Sequence, residues 1–215
     1  MASKLGIYND VLLSIGIMHL RSLNENRNER GVIDTVWDDA VNQCLKMGMW
    51  DFAARDVELD SAASIEPAFG YTYAYTKPND WIRTMGQWAD ERQKAPLLEI
   101  LDAQAYWWAN IQPVYIRYVS NDPDYGFNVG KWTGSFPRLV AANIIVRVAP
   151  RLVAGAGGTL SAAAFQLMQK NEERFLRMAE NEDMADQPTQ FPAPGSWVRS
   201  RYYGPTLNGT KRGLP

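Results

Sequence analysis

The apolar residues of this chain change period twice, and no single regular architecture satisfies both periods. Near the N-terminus, Leu5, Tyr8, Val11, Leu12 and Ile15 recur at helical spacing, with Ser3 placed to cap the start and Gly16 to stop it. After a polar linker, Arg21 to Arg27, a second helix is expected from about Asn28 to Met47. Ile33, Val36, Trp37, Ala40, Val41, Cys44 and Leu45 form its apolar stripe, and Gly48 ends it. The period then falls to two. Trp50 to Asp60, Phe69 to Tyr75, Trp81 to Trp88, Leu97 to Ala103, Ala105 to Trp108 and Val114 to Val119 read as strands. Phe69, Tyr71, Tyr73 and Tyr75 would share one face, Lys77-Pro78-Asn79-Asp80 reads as a turn, and Asn110 to Pro113 would close a hairpin between the last two strands. The expected product is an antiparallel β-meander.

Helical spacing returns after Ser135-Phe136-Pro137, a cap with Pro in the first turn, and continues through Leu139, Val140, Asn143, Ile144 and Val148. Pro150 should kink or end this helix, Gly155 to Gly158 is a flexible break, and Thr159 should cap a last helix reaching about Met184. On that helix Leu160, Ala164, Leu167, Met168, Phe175 and Met178 fall on one side. The expected class is α+β. Residues 1–50 and 131–186 would form a discontinuous four-helix bundle, and residues 51–130 an antiparallel β module inserted between helices 2 and 3.

Residues 187–215 depart from both periods. The segment holds no acidic residue, and it sets Phe191, Trp197, Tyr202 and Tyr203 with Arg199, Arg201, Lys211 and Arg212 among repeated Pro and Gly. Such a segment builds neither an amphipathic helix nor a core of its own. It reads as an extended basic and aromatic arm that docks elsewhere; the alternatives are a frayed terminus or a tail folded back on its own domain.

The formal net charge of -2 argues against a general nucleic-acid binder held by excess cation, and outside the arm no cationic face is evident. Cys44 is the only cysteine, which excludes an intrachain disulfide and zinc clusters built on several cysteines. Neither a signal peptide nor a membrane-length apolar run is evident, so a cytosolic product or assembly is expected, with no membrane partner.

Candidate chemistry is sparse. His19 is the only histidine, and no G-x-S-x-G elbow accompanies it; a packed or capping role is expected. Cys44 lies on an apolar stripe, where a thiol is inert. In Asp122-Pro123-Asp124-Tyr125-Gly126 the glycine falls too early for a calcium loop, and Thr133 stands where a bidentate Glu is needed. Gly155 to Thr159 precedes a helix, but Leu160 replaces the Lys or Ser/Thr of a phosphate loop. Asp80 and Arg83 could pair at a hairpin end. The enzymatic alternative is a glycan-degrading activity using Glu58, Asp60, Asp90, Glu91, Glu99 and Asp102 beside Trp81, Trp88, Trp107 and Trp108.

The order of residues is similar to that of a known family. Ile7-Tyr8-Asn9-Asp10-Val11-Leu12-Leu13-Ser14-Ile15-Gly16, Leu23, Val36-Trp37-Asp38-Asp39-Ala40-Val41 and Gly48-Met49-Trp50-Asp51-Phe52-Ala53 resemble the opening of the tail tubular protein A family of bacteriophage head–tail adaptors. Pro78-Asn79-Asp80-Trp81-Ile82-Arg83, Val114-Tyr115-Ile116-Arg117-Tyr118-Val119, Phe136-Pro137 and Leu152-Val153 extend the likeness over roughly residues 5 to 185. The resemblance implies a structural role without catalysis, cofactor or metal. Members form rings, usually dodecameric, under the capsid portal. They join it to the tail, contact downstream tail or nozzle proteins, and let viral DNA pass through the lumen. Such a protein is assembled in the host cytoplasm and resides in the tail and neck of the virion. The family's C-terminal arms reach neighbouring ring proteins, often the portal; here that role would fall to the arm from Gln187.

Overall fold

A computed structural model describes residues 2–186, apart from 63, 64 and 68, as a mixed α and β chain with four helices and two small antiparallel sheets. Helix α1 (Lys4–Ser14) begins where the Ser3 hydroxyl accepts the Gly6 N–H at 3.1 Å. It ends ahead of Gly16, whose φ of +74° is a backbone conformation that few other residues adopt at no cost. Helix α2 (Asn28–Met47) buries Val32, Ile33, Trp37, Ala40, Val41, Cys44 and Leu45, one stripe at helical spacing. Its last carbonyls, on Lys46 and Met47, accept from the Arg83 guanidinium at 3.2 and 3.3 Å. Arg83 therefore caps α2 and completes the helix dipole with a cation; the expected pair with Asp80 does not form.

A short 3-10 turn, Asp51–Ala53, leads into the strands: β1 (Ala54–Leu59), β2 (Tyr73–Thr76), β3 (Trp81–Trp88), β4 (Ile100–Asp102), β5 (Tyr106–Ala109) and β6 (Val114–Ser120). They do not form a meander. One sheet has the order β1-β6-β3 and the other β2-β5-β4, so the expected β5–β6 hairpin is absent and residues 110–113 carry the chain from one sheet to the other. Local alternation identifies strands but is blind to partner choice, which the two opposed apolar faces decide. The run from Phe69 also breaks: Phe69 and Gly70 both have positive φ, so only Tyr73 and Tyr75 of the expected face lie in a strand.

Helix α3 (Phe136–Gly155) packs against α1, α2 and helix α4 (Ala162–Asp186). It runs through Pro150 to Gly155, so Pro150 does not end it. The Ser135 side chain makes no cap bond. Its N–H and hydroxyl instead donate to the Glu182 carboxylate on α4, the hydroxyl at 2.9 Å. Gly134, at φ +49°, makes room for this contact, because an added Cβ would lie 1.8 Å from Glu182 Oε2. The last helix is capped by Ser161, whose hydroxyl accepts the Ala164 N–H at 3.1 Å, and not by Thr159.

Two apolar clusters result. Helices α1, α2 and α3 enclose one around linked rings: Phe136 lies 4.9 Å from Trp50, 4.7 Å from Phe52 and 5.1 Å from Trp132, and Trp132 stacks on Trp37. The other fills the space between the sheets with Tyr75, Trp107, Ala109, Val114, Ile116 and Tyr118. Among the described residues, no helix is long and apolar enough to cross a membrane.

Helix α4 is tied down by polar contacts more than by apolar burial: only Ala179 and Asp183 of its residues are buried. The Asp183 carboxylate accepts the Asp51 N–H at 3.1 Å. Burial pushes its pKa up to about 6, Asp51 and Asp186 add to that, and the bond from Asp51 opposes it. A carboxyl whose pKa is higher folded than unfolded favours the fold most below its ordinary value of 3.8, and that contribution is lost as pH rises to about 6. Asp183→Asn keeps an acceptor for Asp51 and removes the charge. We expect it to raise stability above pH 6 by about 1–3 kcal/mol and to change little near pH 3.5. Urea unfolding across that range checks this; identical pH dependence in both proteins would refute the assignment.

Candidate assembly surfaces

One hydroxyl group bridges the two sheets at the edge of the apolar cluster between them. Strand β3 has register shifts between Trp81 and Arg83 and between Thr84 and Gly86. The first adds a residue opposite β6 and brings Trp81 and Thr84 onto the same face, towards the other sheet. There Thr84 Oγ1 accepts from the indole N–H of Trp81 at 3.1 Å and of Trp107 at 3.2 Å, and donates to Asp102 at 2.7 Å. Both lone pairs and the proton are used. Asp102 also takes the ammonium of Lys77, a nearly buried side chain whose Nζ stands 3.5 Å from the Trp81 ring centroid and 5.2 Å from that of Trp107. The cation thus exchanges water for two aromatic faces and a carboxylate.

This clasp fixes which face of β2-β5-β4 meets solvent. Along β5 burial alternates, with Trp107 and Ala109 inward and Tyr106 and Trp108 outward. Trp108 pairs across the sheet with Leu101, and its ring lies 6.5 Å from that of Phe69, which is 85% exposed. Leu98, 90% exposed, lies just before β4. The result is an outward apolar surface of Phe69, Leu101, Tyr106 and Trp108 on one sheet.

A second apolar surface lies among the helices. Between α1, α3 and α4 runs a groove of about 660 Å³, lined by Leu13, Ala141, Ile145, Leu167, Met168 and Phe175, with Asp10 and Arg138 as charged members. Leu13 is 64% exposed and Leu167 60% exposed, although Leu167 belongs to the face of α4 expected to point inward. The apolar stripe on the first half of α4 is therefore partly uncovered. Leu167 fell on the apolar side of the last helix in the sequence, and Leu13 lay outside the stripe expected of helix α1. Among the described residues, Trp37, Trp50, Trp107 and Trp132 are spent inside the clusters and are not free for contacts.

The residues with candidate chemistry are placed as follows. His19 is exposed, and its carbonyl accepts from Arg27. Cys44 is fully buried, and burial pushes its thiol pKa far up, so it is a poor nucleophile. Asp80 ties the end of β6 to β1: it accepts from Arg55 at 2.9 Å and from the Tyr118 and Ser120 hydroxyls. Burial alone would raise the Asp80 carboxyl, but the bonds from Ser120, Arg55 and Tyr118 hold it below its ordinary value. The loop at Asp122 is a tight turn, with Asp122 Oδ1 accepting the Asp124 N–H at 2.9 Å, and Gly126 lies so close to Ser120 and Leu45 that a Cβ would clash. Asp90 accepts from the N–H groups of Lys94 and Ala95, Glu58 from the Tyr115 hydroxyl, and Asp102 belongs to the clasp. Among the described residues, no group of three His, Cys, Asp or Glu is placed to hold a metal ion.

The arm residues Phe191, Trp197, Arg199, Arg201, Tyr202, Tyr203, Lys211 and Arg212 lie outside the described residues. No protein-family model and no curated protein sequence matches the chain.

Thr84→Val keeps the shape of the side chain but leaves two indole donors without their acceptor. We expect a loss of about 1–3 kcal/mol in urea unfolding. A variant as stable as the parent would show that the clasp carries no net energy.

Proposed function

We propose that this chain is a structural subunit of a tailed phage, a head–tail adaptor of the tail tubular protein A type. Its copies form a ring that joins the capsid portal to the downstream tail or nozzle protein and encloses part of the channel through which DNA passes. In this reading residues 1–50 and 131–186 are one four-helix bundle, residues 51–130 a β module inserted between its second and third helices, and residues 187–215 an arm for the portal.

The observation that carries the reading is that one subunit bears two unlike apolar surfaces, the outer face of β2-β5-β4 and the groove of α1, α3 and α4. A ring closed by rotation needs two different patches on every subunit, because each contact is heterologous. A self-complementary dimer needs one. Apolar surface of this kind on a soluble chain marks a place of contact. The ordered landmarks agree with the reading: Tyr8, Trp37, Trp50 and Phe136 from four of the quoted runs lie in one core, and Asp80 and Arg83 of the Pro-Asn-Asp-Trp-Ile-Arg turn tie strands to strand and helix. The modest net charge of -2 suits a channel in which DNA must slide, since many phosphate contacts would hold it.

Two outcomes are expected. Replacing Phe69 and Leu101 together by Ser should weaken ring formation on portal particles by about tenfold or more, with unfolding unchanged, because the side chains are exposed in the subunit. Negative-stain images of protein mixed with portal particles read this directly, and undiminished rings would remove that face from the interface. Deleting the chain after Gln187 should leave the fold intact and abolish portal binding; unchanged affinity for assembled portal would end the arm's role.

A further inference from the structure

We propose that a pocket at the seam of helices and strands binds a small molecule that carries one phosphate and hydroxyl groups, of the sugar phosphate class. The pocket measures about 540 Å³ and lies between α2, α3 and the chain at the start of β3 and just past β6. Unlike the apolar groove, it is polar. Asp39, Asn42, Gln43 and Lys46 of α2 line it, with Asn121, which follows β6, and Arg147 of α3. The four residues of α2 are spaced i, i+3, i+4 and i+7, so they form one row along the helix.

Hydrogen bonds inside the pocket decide what it can take. The Arg147 guanidinium donates to Gln43 Oε1, and the Asn121 amide donates to Asn42 Oδ1 at 3.1 Å. Both amides of α2 thus spend their oxygen on a neighbour, and what they still offer is NH2. Lys46 brings donors only, and Arg147 keeps most of its fork. Neither cation is in an ion pair among the described residues. This end of the pocket is therefore rich in donors and carries positive charge without a paired carboxylate. An oxyanion only accepts, and phosphate is the one that a guanidinium and an ammonium bind together most readily.

The other end differs. Asp39 stands about 10 Å along α2 from Lys46, at about 1.5 Å per helical residue. It too is in no ion pair among the described residues. Its carboxylate and the side-chain oxygen of Asn121 are acceptors, which suit hydroxyl groups. A ligand with phosphate at one end and hydroxyls at the other satisfies both. A nucleic-acid strand does not, because a polyanion needs a row of cations and would here meet Asp39. The bound molecule would touch α2, α3 and the strands together, and so stabilise the fold across the seam. The site belongs to the single subunit and does not rest on the adaptor reading.

Titration of the full chain with ribose-5-phosphate, followed by proton–nitrogen NMR, tests the proposal. Saturable shifts are expected in the side-chain NH2 signals of Asn42 and Gln43. Ribose at the same concentration should give none, and inorganic phosphate should bind more weakly than the sugar phosphate. Arg147→Gln and Lys46→Gln should each weaken binding by about tenfold or more. Both positions are exposed, so the fold is not at stake. The proposal falls if ribose-5-phosphate leaves those signals unmoved, if ribose moves them as far, if inorganic phosphate binds as tightly, or if neither substitution weakens binding. It falls also if a DNA oligonucleotide displaces the sugar phosphate at far lower concentration, which would assign the pocket to nucleic acid. None of these results bears on ring formation, so failure here and failure of the adaptor reading are separable.

Discussion

Strand β6 is the element on which both cores depend. It is the middle strand of its sheet, hydrogen-bonded to β1 and β3, and its side chains serve two different interiors. Val114, Ile116 and Tyr118 point into the space between the sheets, whereas Val119 joins the helical cluster. The change of interior at Tyr118 and Val119 is possible because period two sends neighbouring side chains to opposite faces. A strand that must be apolar on one face for most of its length and on the other at its end cannot slip by one residue without emptying both cores. The Asp80 carboxylate secures that end, taking hydrogen bonds from Tyr118 and Ser120 on β6 and from Arg55 on β1. From its place just before β3, one charged group thus ties β6 to β1 in register, and its own charge is compensated by the donors it gathers.

The remaining connections follow the same logic of short polar ties between apolar layers. Arg83 binds β3 to the end of α2, Thr84 and Asp102 bind the sheets, and Glu182 and Asp183 bind α4 to the segments at Ser135 and Asp51. Apolar burial is non-directional and would tolerate sliding of these layers. Hydrogen bonds to groups without another partner do not tolerate it, because breaking one leaves a desolvated donor or acceptor. The weak point is the first half of α4, which has neither a buried stripe nor such a tie before the bond between Glu172 and Asn143. The open groove is the direct consequence.

Much of the element order was legible from periodicity. The bounds of α2 and of β3 coincide with the readings, and Ser3, Gly16 and Pro137 punctuate helices as their chemistry requires. What could not be read was pairing. Alternation in Val114 to Val119 and in Ala105 to Trp108 is equally compatible with one sheet or two, and the choice is made by Trp107 and Tyr118 meeting across a gap that no local pattern encodes. The role of Arg83 was missed for a similar reason: its partners are backbone carbonyls of a helix that ended more than thirty residues earlier. The clasp left no periodic trace because a bulge sets its geometry. The apolar surfaces were visible only as residues, since Leu167 and Phe69 look like core until a structure shows nothing above them. The arm lies in residues outside those described.

Two exposed apolar surfaces on one modest chain raise a problem of timing. Each would promote association from the moment the subunit folds, and a heterologous pair that meets too early makes open chains as readily as closed rings. The groove is lined by helices, and the outer face of β2-β5-β4 is on a different layer of the molecule. On the adaptor reading proposed above, each surface would meet the other kind on a neighbouring copy, and a ring would grow where the portal aligns them.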